Sequence, residues 1–419
     1  MMKSETIKKD FPVFAHHPDL VYLDSAATAL KPRTVIEQER EYLEEYPANI
    51  SRGLYTLSER ATFEYERSRE AVALWIGALK KEEIIFTKGT TESLNLLAYS
   101  LERSTTKDDE ILVTTMDHHA NFLPWQALAE RAGATFRALP VSRSGEIDLE
   151  TLETSVSART KIFAFPWISN VSGTIAPVQD IVSVVRKRSP EAIIILDAAQ
   201  AAAHLPIDVS TLGVDFLAFS AHKCFGPTGV GVLWGRSALL EALPPFLYGG
   251  DMVESASVEK SFFKRPPQRF EAGTPNISGV IAFRAAIEYI EHLGKESIRA
   301  HESHLVEVAR EKLRTEIEGV ELLGSSHPTK HSNLVSFTIP GLHAHDAAEW
   351  LANKNICVRA GAHCTHPFHT SLGIPATIRF SFSIYNYESD INRALVSLKE
   401  AIEYYRLAKK GEKEKQRDL

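Results

Sequence analysis

An α/β fold with helices on both faces of a mainly parallel sheet is the class this chain predicts, and three features predict it. Short β-branched runs alternate with helical patterns from about residue 60 to residue 285. Most of those runs are apolar throughout, as in strands buried on both faces, rather than alternating. A Gly- and Pro-containing break near residue 280 then separates them from a stretch with longer helical patterns.

The strand candidates are Glu83–Thr87, Ile111–Thr115, Lys161–Phe165, Ile193–Asp197, Asp215–Ser220 and Val230–Trp234. Leu123–Ala132 and Val178–Arg188 between them have the composition of crossover helices. Beyond Glu271–Gly279 (EAGTPNISG), Phe283, Ile287, Ile290 and Leu293 recur at helical spacing, with Gly294 placed as a C-cap. A second helical pattern covers Ile298–Arg314, and a third Ala344–Asn353. Apolar segments Asn333–Ile339 and Ile356–Arg359 and a last amphipathic helix near Asp390–Leu407 complete a smaller α+β domain. The expected division is an N-terminal segment 1–20 packing near the small domain, a large domain 21–280, a small C-terminal domain 281–408 and a frayed, charged tail 409–419.

Composition narrows the function classes. The 419 residues carry 47 Lys+Arg against 54 Asp+Glu, a net charge of −7, which disfavours a nucleic-acid binder. Hydrophobic residues at 44% exclude a disordered chain. Three cysteines, Cys224, Cys357 and Cys364, form no disulfide framework and point to a reducing compartment. The first twenty residues lack the apolar stretch of a signal peptide, and no run reaches membrane-spanning length. The cytoplasm is therefore the expected location. HExxH and CxxC are absent, so no metal is expected.

The chemistry concentrates between Asp197 and Gly231. One apolar strand ends in Asp197, and the next ends in Ser220-Ala-His-Lys223 before a Gly-rich turn. An acid and a lysine thus stand past the C-terminal ends of two parallel strands, the edge where open α/β sheets bind ligands. A desolvated lysine can form a Schiff base, and an acid can pair with a protonated pyridine nitrogen. That combination suits pyridoxal phosphate. Either residue alone is common as a helix cap or a loop lysine; the pair, with Ser220 and His222 beside it, is not. Thr87-Lys-Gly-Thr-Thr-Glu92, between a strand and a helix, offers Thr90 and Thr91 to a phosphate or serves as an N-cap. Met116-Asp-His-His-Ala-Asn121 places a pair of histidines where an imidazole could stack on a flat cofactor ring, or is simply a loop histidine pair.

In the small domain Cys364 sits in Arg359-Ala-Gly-Ala-His-Cys364, a loop context in which Arg359 and His363 would raise the thiolate fraction. Arg379 could clamp a carboxylate. Cys357 reads as a packing residue, and Cys224 as packing behind the lysine loop.

Together these stretches resemble the class V aminotransferases of the fold-type I pyridoxal phosphate enzymes, and within them the group II (SufS-like) cysteine desulfurases. Val21–Thr28, Tyr55-Thr-Leu-Ser58, Ser169-Asn170, Phe270–Pro275 and Tyr385-Asn386 add to the match, which covers nearly the whole chain. The resemblance implies that Lys223 tethers the cofactor, Asp197 pairs with its ring nitrogen, Gln200 bonds its ring hydroxyl and His118 stacks on it. It implies phosphate contacts from Thr90, Thr91, Ser220 and His222, with Thr274 arriving from the partner of a homodimer. Ala26, Asn170, Arg359 and Arg379 would hold L-cysteine or L-selenocysteine, and Cys364 would take the sulfur as a persulfide. Alanine would be the product, and a sulfur-acceptor protein of the SufE or SufU kind would serve iron–sulfur cluster assembly. The chain departs from the group at Ser51, Tyr55, Trp167-Ile168, Ala221 and Ala362. These positions leave a selenocysteine lyase, or a class V lyase or aminotransferase that does not use Cys364, as alternatives. A serine hydrolase reading of Ser220-Ala-His-Lys223 lacks the companion motifs, and a scaffold that merely keeps the fold would not need Lys223, Asp197 and Cys364.

Overall fold

The computed structural model describes residues 4–417, with the side chains of residues 6–407. Its main sheet has seven strands in the order Ile84–Thr87, Gly231–Gly235, Phe216–Ser220, Ile193–Asp197, Thr160–Pro166, Glu110–Thr114 and Thr135–Leu139. Gly231–Gly235 alone runs against the others. The apolar runs explain this arrangement. Along Ile193–Asp197, Ile194 and Leu196 join one core cluster while Ile193 and Ile195 join the cluster on the opposite face. Phe163, Phe165, Leu217 and Phe219 divide from Ile162, Ala164, Phe216 and Ala218 in the same way. Both faces are therefore dry, and helices must cover both.

The six strand candidates lie within these strands or overlap them closely. Thr135–Leu139 was not among them. It is an edge strand whose first four residues are exposed or half-buried, so its pattern lacks the apolar run. The helix Val178–Arg188 matches the sequence expectation, with Asp180 in its first turn and Arg186, Lys187 and Arg188 in its last, each favourable to the helix dipole. Leu123–Ala132 stops at Gly133, whose φ of 69° supplies the left-handed C-cap.

A second sheet orders Glu321–Leu322, Leu334–Thr338, Thr377–Ser381 and Arg359–Gly361, all antiparallel, around its own hydrophobic cluster. Two early segments find partners late in the sequence. Val21–Tyr22 pairs in parallel with Ile356–Cys357, and Val21 and Leu23 are buried in the small-domain cluster. Phe11 packs edge-on to Tyr385 at 4.9 Å and lies 6.0 Å from Phe225. The last helix spans Glu388–Arg417, so the backbone stays helical past Lys409 where fraying was expected. Residues 418–419 lie outside the described residues, as do the side chains of 408–419.

Behind the sheet edge, Arg69 is 1% exposed and grips Glu271 through two bonds, Nη1 to Oε1 at 2.7 Å and Nη2 to Oε2 at 2.8 Å. Glu271 Oε1 also accepts from Phe86 N at 2.7 Å, and Arg69 Nη1 donates to the Ile84 carbonyl at 2.8 Å. The pair ties the helix Thr56–Trp75 to the first sheet strand and to the loop that carries Thr274. Breaking one half of such a pair strands a buried charge, at about 3–5 kcal/mol. Glu271→Ala is expected to lower the urea midpoint by that equivalent, whereas Arg60→Ala, in an exposed pair with Glu41, should shift it by less than about 1 kcal/mol.

Candidate active site

The C-terminal ends of the parallel strands bring Pro166, Asp197 and Ser220 to one sheet edge. The reversed strand begins there at Gly231, opposite both Thr87 and Ser220. A Cβ on Gly231 would lie 2.4 Å from Gly89 Cα, so glycine is what lets the Gly89–Thr91 turn lie against the sheet. That turn opens the helix Thr90–Ser100. Ser220 Oγ accepts from Thr90 N at 2.8 Å and lies 2.7 Å from Thr90 Oγ1. The helix-start amides beyond Thr90 and the hydroxyls of Thr90, Thr91 and Ser220 make an anion-attracting wall. It borders a cavity of about 410 Å³.

Lys223 and Asp197 line the same cavity. Asp197 is buried, and Oδ1 accepts from Ala199 N at 2.9 Å. Burial pushes its carboxyl pKa up, against the Ala199 amide and Lys223, which both lower it. Burial likewise pushes the Lys223 amine pKa down; Asp197 opposes the shift and Arg379 adds to it. Gln200 holds the floor by donating to the Ala26 carbonyl at 2.8 Å. His118 Nδ1 accepts from Ala120 N at 3.1 Å, so the hydrogen of its neutral ring is on Nε2. Burial first, then the charge of Lys223, lowers its pKa to about 4. His222 is lowered to about 4 for the same two reasons. Both are neutral at physiological pH.

The opposite wall comes from the small domain and from Asp24. Arg359 Nη2 lies 2.6 Å from Asp24 Oδ2 and its Nε 3.0 Å from Oδ1. Arg379, buried, reaches Asp24 Oδ1 at 3.4 Å and donates through Nη1 to the Asn170 carbonyl at 2.8 Å. Its Nε is buried without a partner among the described residues. Asn170 Nδ2 donates in turn to the His363 carbonyl at 2.7 Å. Sequence reasoning missed Asp24; its only signal was its position within the matching Val21–Thr28 stretch.

Cys364 is exposed at the cavity, on a loop where His363 and Cys364 both take left-handed backbone angles, φ 49° and 58°. Such angles cost non-glycine residues energy and persist only where surroundings impose them. Here four consecutive carbonyls are each held. Ala362 O accepts from Thr365 N and Oγ1, His363 O from Asn170, Cys364 O from His119 N at 2.8 Å, and Thr365 O from His369. The sequence expectation for His363 needs correction. His363 Nε2 is 2.9 Å from Thr377 Oγ1, and burial followed by Arg379 lowers its pKa to about 2. It is neutral and brings no positive charge to the thiol. Cys224 is buried, as expected, and burial raises its thiol to about 12. Cys357 is half-buried beside Asp24, and burial raises its thiol too.

One candidate stands apart. Thr274 is exposed and lines a different pocket, with Asn49 Nδ2 3.5 Å from its hydroxyl. Among the described residues no cluster of His, Cys, Asp and Glu could hold a metal ion, and no helix is long and apolar enough to cross a membrane.

The description "Aminotransferase class-V" fits residues 21–394. A "Probable cysteine desulfurase" of Halalkalibacterium halodurans is 43% identical over 408 residues, spanning 96% of this chain and 99% of that protein. One of Streptomyces coelicolor is 41% identical over 418 residues, covering 97% and 98%. Among solved structures, the apo cysteine desulfurase of Thermococcus onnurineus aligns with a TM-score of 0.91 at 40% identity, over 96% of this chain and 99% of that one. The Escherichia coli cysteine desulfurase CsdA, in an S-sulfonic acid form, aligns at 0.89 and 34% identity over the same shares. The chain belongs to the class-V aminotransferase family, in the branch whose members are named cysteine desulfurases.

Proposed function

We propose that this chain is a pyridoxal phosphate-dependent cysteine desulfurase that converts L-cysteine to L-alanine and carries the sulfur on Cys364 as a persulfide. The observation that carries the reading is a single cavity lined by a buried acid, an enclosed lysine and an exposed thiol: Asp197, Lys223 and Cys364. The remaining donors fit the cofactor's chemistry. Thr90, Thr91, Ser220 and His222 suit its phosphate, Asp197 a protonated ring nitrogen, Gln200 a ring hydroxyl, and the neutral His118 a ring face.

When bound, pyridoxal phosphate supplies an electron sink for the substrate's α-carbon. Arg379 and Arg359 hold the substrate carboxylate, for which Arg379 Nε is the unused donor. Ala26 and Asn170 border the amino acid. The depressed pKa of Lys223 makes its Nζ a usable base for the α-proton. The Cys364 thiolate attacks the substrate sulfur; an S–S bond forms as the Cβ–S bond breaks. The departing electron pair stays on carbon, which is reprotonated to give alanine.

The complete enzyme is a homodimer in this reading, with Thr274 reaching the partner's phosphate site. Thr274 lies outside its own cavity, and Leu54, Tyr55 and Leu57 near Asn49 are exposed apolar side chains that a partner would cover. A sulfur-acceptor protein of the SufE or SufU kind then relieves Cys364, in the cytoplasm, for iron–sulfur cluster assembly.

The deciding experiment measures alanine and sulfide from L-cysteine with a reductant. Equal yields are expected, with Cys364→Ala reducing both by at least about 10²-fold while the visible absorption of the bound cofactor persists. Alanine release that survives the substitution would overturn the reading. Lys223→Ala should abolish turnover and leave the cofactor removable by gel filtration. The neutral histidines add a pH effect. His118, His222 and His363 have folded pKa values below the unfolded value of about 6.5, so folding disfavours their charged forms. Their contribution is complete above that value and is lost as pH falls through a window that ends at about 4 for His118 and His222 and at about 2 for His363. The urea midpoint should therefore drop between pH 7 and 5, and drop less in His222→Asn.

A further inference from the structure

The residue after His118 makes a contact that the proposed chemistry does not use. His119 Nε2 lies 3.1 Å from Nδ1 of His366, two residues beyond Cys364. The ring planes are within 9° of parallel, with centroids 5.0 Å apart. For the two nitrogens to share a hydrogen bond, one must carry a hydrogen and the other a lone pair. The His119 backbone amide separately donates to the Cys364 carbonyl at 2.8 Å. His119 is half-buried and follows the ring that faces the cavity, while His366 is exposed and opens the helix His366–Leu372.

We propose that His119 and His366 are positioning residues, a side-chain latch that holds the Cys364 thiol in register with the loop carrying His118. This deepens the desulfurase reading and rests on it. Two independent links, ring to ring and amide to carbonyl, join the cysteine loop to the end of strand Glu110–Thr114. The left-handed angles at His363 and Cys364 explain why such a latch is needed: without restraint the backbone would relax toward ordinary angles and move the thiol. A displacement near 1 Å at a reacting atom costs on the order of 10²-fold in rate. The ring pair supplies part of the restraint, and its loss should cost less.

The test compares parent, His366→Ala and His366→Asn, the last keeping a hydrogen-bonding atom in the place of Nδ1. In His366→Ala, kcat for alanine formation from L-cysteine should fall about tenfold. KM should change less than about twofold, because His366 touches no part of the substrate site. Alkylation of Cys364 by iodoacetamide, followed by mass spectrometry without any substrate, should speed up several-fold as the loop loosens. His366→Asn should restore both values toward the parent. An unchanged alkylation rate, a KM rise matching the loss in kcat, or no recovery in His366→Asn would overturn the latch. If the parent makes no alanine, the desulfurase reading fails by itself, and the alkylation rates still decide the latch.

Discussion

Two opposite charges enclosed at one sheet edge set the terms for everything around them. Asp197, buried, and Lys223, half-buried, stand at the ends of adjacent parallel strands, and each is among the charges acting on the other. A buried acid without a counter-charge would protonate, and a buried lysine would lose its proton. Each restrains the other's shift. The wholly apolar strands are what create this situation, because they keep helices on both faces and leave only the strand ends open. The chemistry is thus confined to the edge by the same hydrophobicity that builds the sheet.

A second balance lies across the cavity. Arg359 and Arg379 would repel each other and Lys223 if left alone, and Asp24 offsets them with one carboxylate. The histidines contribute by being uncharged. His118, His222 and His363 are all held neutral by burial, so they can stack, accept and donate hydrogen bonds without adding positive charge. The site is polar but economical in charge, which suits a substrate that arrives with its own carboxylate.

Much of this was legible beforehand, for physical reasons. Apolar runs such as Ile193–Asp197 can be read because burial on both faces removes polar residues, and strand ends place Asp197 and Lys223 at the ligand edge whatever the loop details. What escaped depended on three-dimensional neighbours. Thr135–Leu139 keeps one face exposed, so its pattern is mixed. Asp24 gains its meaning only when the chain folds back on Arg359 and Arg379. His363 looked like an activating cation beside Cys364 until its partner proved to be the Thr377 hydroxyl and its surroundings dry. Spacing along a chain records which residues share an element, not which charges survive burial.

The pairing of Asp24 with Arg379 spans 355 residues of sequence, and Val21–Tyr22 finds its strand partner only at Ile356–Cys357. During synthesis the strands that carry Asp197 and Lys223 therefore leave the ribosome long before Arg359, Cys364 and Arg379 emerge. The nascent chain must carry Val21, Leu23 and Asp24 without their partners for most of translation.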